Sequence, residues 1–288
     1  MFIAFILLLA FIIGQCNDES SETVYEEESY TELTQASEVQ RQGLISTNEE
    51  DETTLPKQII EAYSVEIPII QRDVPEQILK RTAYTLSYNK EIKCPNWVAW
   101  YLTRDHSDGE WARSNDYRED YDVPSPRATN DDYKGNSWSR GHMCPAGDNK
   151  WNADAMSETF LLTNMCPQER SLNSGVWNQI EMDCRKWANK YGGVYIVCGP
   201  LYYKKEHETI GFNQIVVPEA FYKVILRLNP NPKAIGFIVK NNDGKKKKDQ
   251  YVNTVDEVER ISGIDFFPAL PDDIENEVEA HANLEDWR

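Results

Sequence analysis

The chain has four histidines in 288 residues, and one of them lies in Ser139-Arg140-Gly141-His142-Met143-Cys144-Pro145-Ala146. A neutral imidazole takes up a proton near pH 7, so His142 is a candidate general base. Two polar segments follow. The first is Thr163-Asn164-Met165-Cys166-Pro167-Gln168. The second is Leu172-Asn173-x-Gly175-x-Trp177-x-x-x-Glu181-x-x-x-Arg185. At about 100° per residue, Asn173, Glu181 and Arg185 fall within an arc of about 120° on one helix. That face offers an amide oxygen and a carboxylate to a single ion, while Trp177 and Ile180 pack inward. Each residue also has an ordinary reading. Glu181 and Arg185 can be an exposed i,i+4 pair, Asn173 a helix N-cap, and His142 a hydrogen-bonded core residue.

The elements that must carry these residues are legible in outline. Short apolar or alternating runs predict strands at Tyr84–Tyr88, Trp97–Leu102, Val194–Cys198, Phe221–Leu228 and Ala234–Val239. Helical spacing of Trp177, Ile180, Cys184, Trp187, Ala188 and Tyr191 predicts a helix from Leu172 to Tyr191, stopped by Gly192-Gly193. A second helix is predicted from Thr254 to Ile261, ended by Gly263. Strands and helices do not alternate, so the expected class is α+β with a mostly antiparallel central sheet flanked by helices. No glycine-rich phosphate loop occurs. Trp97, Trp100, Trp138, Trp177 and Trp187 read as core rather than as base-stacking platforms. The run Lys245–Lys248 follows Asn241-Asn242-Asp243-Gly244 and reads as a solvated hairpin tip, with a phosphate contact as the lesser alternative.

The order Arg140-Gly141-His142, Asn164-x-x-Pro167-Gln168, Asn173 and, eight residues on, Glu181 resembles the signature of the DNA/RNA non-specific endonuclease family. These are the ββα-metal nucleases, which include secreted bacterial nucleases and mitochondrial endonuclease G. Asn96–Trp100, Ile196–Pro200 and Val255–Arg260 continue the likeness, which covers roughly residues 80–270. The resemblance implies a ββα-metal fold and a sugar-non-specific endonuclease that hydrolyses DNA and RNA without sequence specificity, leaving 5′-phosphate ends. It implies His142, Arg140, Asn164 and Glu181 as catalytic residues, and Arg113 and Arg185 as phosphate contacts. It also implies Mg²⁺, or Mn²⁺ or another divalent ion in its place, held by Asn173 directly and by Glu181 through water. The family's usual Asp before Arg-Gly-His is Ser139 here, which puts the orientation and pKa of His142 in question. A surface-tethered nucleic-acid-binding lipoprotein with a decayed site is the alternative, and a phosphodiesterase or phosphatase for small esters is a third reading.

A net charge of −18 argues at first against any phosphate-backbone partner. By region the objection weakens. Residues 17–56 carry −11, residues 265–288 carry −7, and residues 57–264 carry 28 acids and 28 bases. The neutral middle leaves room for a local basic cleft. Residues 1–16 read as a signal peptide around the apolar run Phe2–Ile13, with Cys16 as a possible lipidation site and the protein exported: secreted, periplasmic or lipid-anchored. Residues 17–56 read as an acidic disordered tether, 57–82 as transitional, 83–270 as the nuclease domain and 271–288 as an acidic tail. An exported chain favours disulfides; five cysteines leave at least one thiol over and the connectivity open, with Cys184–Cys198 and Cys144–Cys166 as one pairing. No Cys-x-x-Cys occurs, so a structural zinc site is not expected.

Overall fold

The computed structural model describes residues 64–242 and 244–288. The readings of residues 1–16 and 17–56 lie outside them. Among the described residues no helix is long and apolar enough to cross a membrane.

Thirteen strands form among the described residues. They are β1 Ile69–Ile70, β2 Gln77–Lys80, β3 Thr85–Asn89, β4 Cys94–Leu102, β5 Ser139–His142, β6 Met165–Gln168, β7 Val194–Leu201, β8 Thr209–Ile210, β9 Ile215–Val216, β10 Ala220–Arg227, β11 Lys233–Lys240, β12 Val252–Asn253 and β13 Ile264–Asp265. Seven of them make the central sheet, in the order β12-β11-β10-β7-β4-β3-β2. Every pairing in it is antiparallel. All five strands expected from sequence are present, each within a few residues of its expected bounds.

The central strands are buried on both faces, which is why they read as nearly continuous apolar runs. On one face Val98, Trp100, Ile196, Phe221 and Ile225 join the core that packs under the Asn178–Tyr191 helix. On the other face Trp97, Ala99, Val197, Tyr222 and Val224 pack beneath the helices Val255–Ser262 and Asp272–Glu279. Each such fully buried large apolar side chain stabilises by about 1.5–3 kcal/mol. Lys223 breaks the pattern: it lies on the first face of β10 and is fully buried.

The ordered domain extends past both expected boundaries. β1 pairs with β13, β2 forms the sheet edge, and Val65 is buried, so residues 65–82 belong to the fold. The expected acidic tail is also part of it. Asp272–Glu279 is a helix that buries Val278, and Trp287 packs its ring 4.7 Å from that of Trp187. Acidic residues on the solvent side of a short helix hid two apolar contacts in the sequence.

The expected disulfides do not form. Cys94, Cys144, Cys166, Cys184 and Cys198 are all buried free thiols. Strand register explains one missing bond: Cys166 faces Gly141, and Cys144 lies beyond the end of the β5–β6 pairing. The Cys198 thiol instead donates to the Met143 carbonyl at 3.3 Å. Burial pushes the thiol of Cys184 up to about 12 and that of Cys198 up to about 11, so neither is a thiolate nucleophile at neutral pH. The Lys245–Lys248 run is not a free tip either, because Lys248 pairs with Asp183 of the Asn178–Tyr191 helix.

Candidate active site

The β5–β6 hairpin and the helix after it build one cleft of about 390 Å³. It is lined by His142, Asn173, Glu181 and the arginines Arg113, Arg140, Arg170 and Arg185. The sequence readings thus converge, with one exception. Asn164 does not reach the cleft. It is fully buried, its Oδ1 accepts from the Cys144 N–H at 2.9 Å, and its Nδ2 donates to the carbonyls of Cys144 and Thr159, each at 2.9 Å. It clamps the chain just past His142 and is a positioning residue.

Gly141 is required by packing. A Cβ there would meet the buried Gln168 side chain at 2.3–2.8 Å, so only glycine lets β5 lie this close to β6. That closeness puts His142 at the cleft floor. The ring sits edge-on to Phe160 at 5.0 Å and to Tyr117 at 5.7 Å. Its Nε2 is buried and has no hydrogen-bond partner. A neutral imidazole in this place is suited to a general base.

Arg140 and Arg113 flank this aromatic cluster. The Arg140 guanidinium lies 3.9 Å from the Tyr117 ring centre, and its Nη1 donates to Asn130 Oδ1 at 2.6 Å. Arg113 lies 4.8 Å over the Phe160 ring and donates to the Tyr117 hydroxyl at 3.1 Å. Both guanidinium groups line the cleft beside these rings. Tyr117, in a loop, and Arg170, at the start of the short helix Arg170–Leu172, escaped the sequence reading because neither belongs to a repeating pattern.

Ser139 is the informative departure. Its Oγ donates to the Gln168 carbonyl at 2.7 Å and accepts from Asn173 Nδ2 at 3.1 Å. The effect expected on His142 falls on Asn173 instead. With Nδ2 engaged, Asn173 Oδ1 is free for a cation. Asn173 opens the segment Asn173–Trp177 at the head of the site helix, which is kinked at Gly175 (φ −98°, ψ −116°). The expected Leu172–Tyr191 helix is therefore regular only over Asn178–Tyr191.

Glu181 and Arg185 are one helical turn apart, yet Arg185 pairs elsewhere. Its Nη1 donates to Asp148 Oδ1 at 2.7 Å, and Asp148 Oδ2 accepts from Trp100 Nε1 at 3.2 Å. A Cβ at Gly147 would lie 3.0 Å from that guanidinium, so glycine keeps the passage open. The Glu181 carboxyl is pushed up to about 7 by burial, against the pull of Lys223. Lys223 Nζ lies 4.5 Å from the Trp177 ring centre and 4.9 Å from that of Trp100. It is a buried cation under the carboxylate end of the cleft, and its place in an apolar strand gave no functional signal.

Burial first, then Arg113 and Arg140, lower the His142 pKa from 6.5 to about 3. The folded imidazole stays neutral down to that pH, whereas the unfolded one takes a proton as pH falls through 6.5. The stability it contributes is present above pH 6.5 and is lost as pH falls toward 3. Between pH 7 and pH 5 the protein is expected to lose about 2 kcal/mol more than His142→Gln does. Urea melts of both at the two pH values check this, and equal losses would refute it.

A model of the family described as DNA/RNA non-specific endonuclease matches residues 66–273. The chain belongs to this family. Among curated relatives it is 37% identical to "Nuclease EXOG, mitochondrial" of Xenopus laevis over 207 residues, covering 66% of this chain and 58% of that one. It is 36% identical to "Nuclease C1" of Cunninghamella echinulata var. echinulata, covering 67% of this chain and 83% of that one. To human "Endonuclease G, mitochondrial" it is 30% identical, covering 67% and 70%. The fold also matches the crystal structure of the EndoG/EndoGI complex at a TM-score of 0.64 and 27% identity, over 76% of this chain and 95% of that chain. The match spans less than two thirds of the length of the EXOG relatives. The antiparallel sheet and the β5–β6 hairpin followed by the site helix are the expected ββα-metal architecture.

Proposed function

We propose that the chain is a divalent-metal-dependent endonuclease that cleaves DNA and RNA without sequence specificity, leaving 5′-phosphate ends. The observation that carries this reading is an imidazole, an amide side chain, a carboxylate and four arginines lining one cleft. Family membership supports the same reaction.

The donors fit a hard ion. Asn173 Oδ1 is freed by Ser139, no side chain hydrogen-bonds the Glu181 carboxylate among the described residues, and the cleft has room for the waters that Mg²⁺ retains. Asn173 would hold the ion directly and Glu181 through water. When bound, the ion supplies Lewis-acid polarisation of the phosphate and stabilises the leaving 3′-oxygen. The His142 imidazole takes the proton from the attacking water. Arg113 and Arg140 bind the phosphodiester and its added charge, with Arg185 held ready by Asp148. The same two arginines weaken His142 as a base in the free enzyme. A bound phosphate offsets their charge, so the imidazole gains basicity when substrate is in place.

Phosphate, water and cation chemistry uses neither a 2′-hydroxyl nor a base edge, which supports action on both nucleic acids. The tether and export readings rest on Phe2–Ile13 and Cys16; the mitochondrial location in the relatives' names concerns those proteins. Purified full chain should linearise and then degrade supercoiled plasmid and should digest a long RNA with Mg²⁺. EDTA should stop both reactions and excess Mg²⁺ should restore them. Binding without cleavage would leave the decayed-site reading, and turnover confined to small aryl phosphodiesters would leave the third.

A further inference from the structure

On the opposite face of the sheet from the cleft, Asp256, Glu259 and Glu279 each bring one carboxylate oxygen to a common point, all within 4.8 Å of one another. Asp256 and Glu259 are three residues apart on the Val255–Ser262 helix, so they share a face. Glu279 ends the neighbouring Asp272–Glu279 helix. Glu279 is only 6% exposed, and its buried Oε1 has no hydrogen-bond partner. A carboxylate that dry is costly unless something compensates it. The charges that act on it most strongly are Glu259, Glu275, Asp256 and Asp265, all acidic. Burial and these neighbours push Glu279 up to about 9 and Glu259 up to about 7. Glu259 is partly engaged, since its Oε1 accepts from the Phe266 N–H at 2.7 Å.

We propose that Asp256, Glu259 and Glu279 form a structural divalent-cation site of the Ca²⁺ class, which ties the Asp272–Glu279 helix to the Val255–Ser262 helix. Ca²⁺ binds oxygen ligands at about 2.4 Å, so two ligands across the ion are at most about 4.8 Å apart. The cluster fits within that sphere. It offers only hard oxygens, without the thiolate or imidazole that zinc prefers. Asp256 is exposed, which leaves an open side for the waters that complete the coordination. The consequence is local: the ion holds the segment that carries Val278 and Trp287 against the domain.

The site is independent of the nuclease reading, and the test keeps the two apart. Full-length protein is stripped with EDTA, dialysed and melted without metal, with millimolar CaCl₂ or with millimolar MgCl₂. CaCl₂ is expected to raise Tm by about 5 °C, and MgCl₂ by less, because its shorter bonds suit the wide cluster poorly. Asn173→Ala, which removes a ligand in the cleft, should keep the calcium shift. Glu279→Gln should abolish it, melt no lower than wild type without metal, and retain Mg²⁺-dependent plasmid cleavage. Asp256→Asn, at an exposed position that does not threaten folding, should reduce the shift. The absence of a calcium shift in wild type, or a full shift retained in both Glu279→Gln and Asp256→Asn, would overturn the site.

Discussion

His142→Ala is expected to lower plasmid cleavage about 10³-fold, within the range for loss of a positioned general base. The variant removes the imidazole that lines the cleft while leaving the arginines and the Asn173–Glu181 donors in place. Substrate binding should therefore survive, so the loss should appear in kcat with KM nearly unchanged. Steady-state cleavage of a fluorescent duplex at saturating Mg²⁺ measures both. A variant with near-wild-type kcat would remove His142 from the base role. Folding is checked at pH 7 by Tm, since the alanine leaves a small gap beside Phe160 and Tyr117.

Asp148→Ala is the second large effect, and it acts on stability as well as activity. The Asp148 side chain is 1% exposed and that of Arg185 23% exposed, with 2.7 Å between the paired atoms. Removing the carboxylate strands the guanidinium and leaves Trp100 Nε1 without its acceptor. Breaking a buried pair from one side costs about 3–5 kcal/mol, which urea denaturation should register as a lower midpoint at unchanged slope. Activity should fall too, because Arg185 loses the contact that aims it at the cleft. Replacing both partners, as Asp148→Ala with Arg185→Met, should recover part of the stability and none of the activity. A single variant as stable as wild type would show that the pair is not the clamp described here.

Positions that must satisfy a local repeat were readable from sequence. β7 and β10 are apolar on both sides because both faces of the sheet are covered, so their residue types announced them. The site helix announced itself through Trp177, Ile180, Cys184 and Trp187, all of which are buried. The edge strand β2, Gln-Ile-Leu-Lys, did not, since one buried residue in four gives no period. Trp287 was hidden for a related reason: it is one aromatic ring in an acidic stretch, buried only because Trp187 and Tyr191 wait for it.

The same division runs through the site. The types and order of Arg140, His142, Asn173, Glu181 and Arg185 carried the resemblance to the family, and the fold brings all five to one cleft. Spacing could not say which partner each residue takes. Arg185 lies one turn from Glu181 and yet pairs with Asp148. Asn164 serves backbone atoms rather than substrate, and Ser139 acts on Asn173 rather than on His142. The sequence by itself determined a neutral middle stretch between acidic ends and the inventory of reactive groups, since both follow from residue identity along the chain. Only the tertiary structure decided the free thiols, the buried charge of Lys223 and the meeting of Glu279 with Asp256 and Glu259, because these depend on strand register and helix packing between residues far apart in the chain.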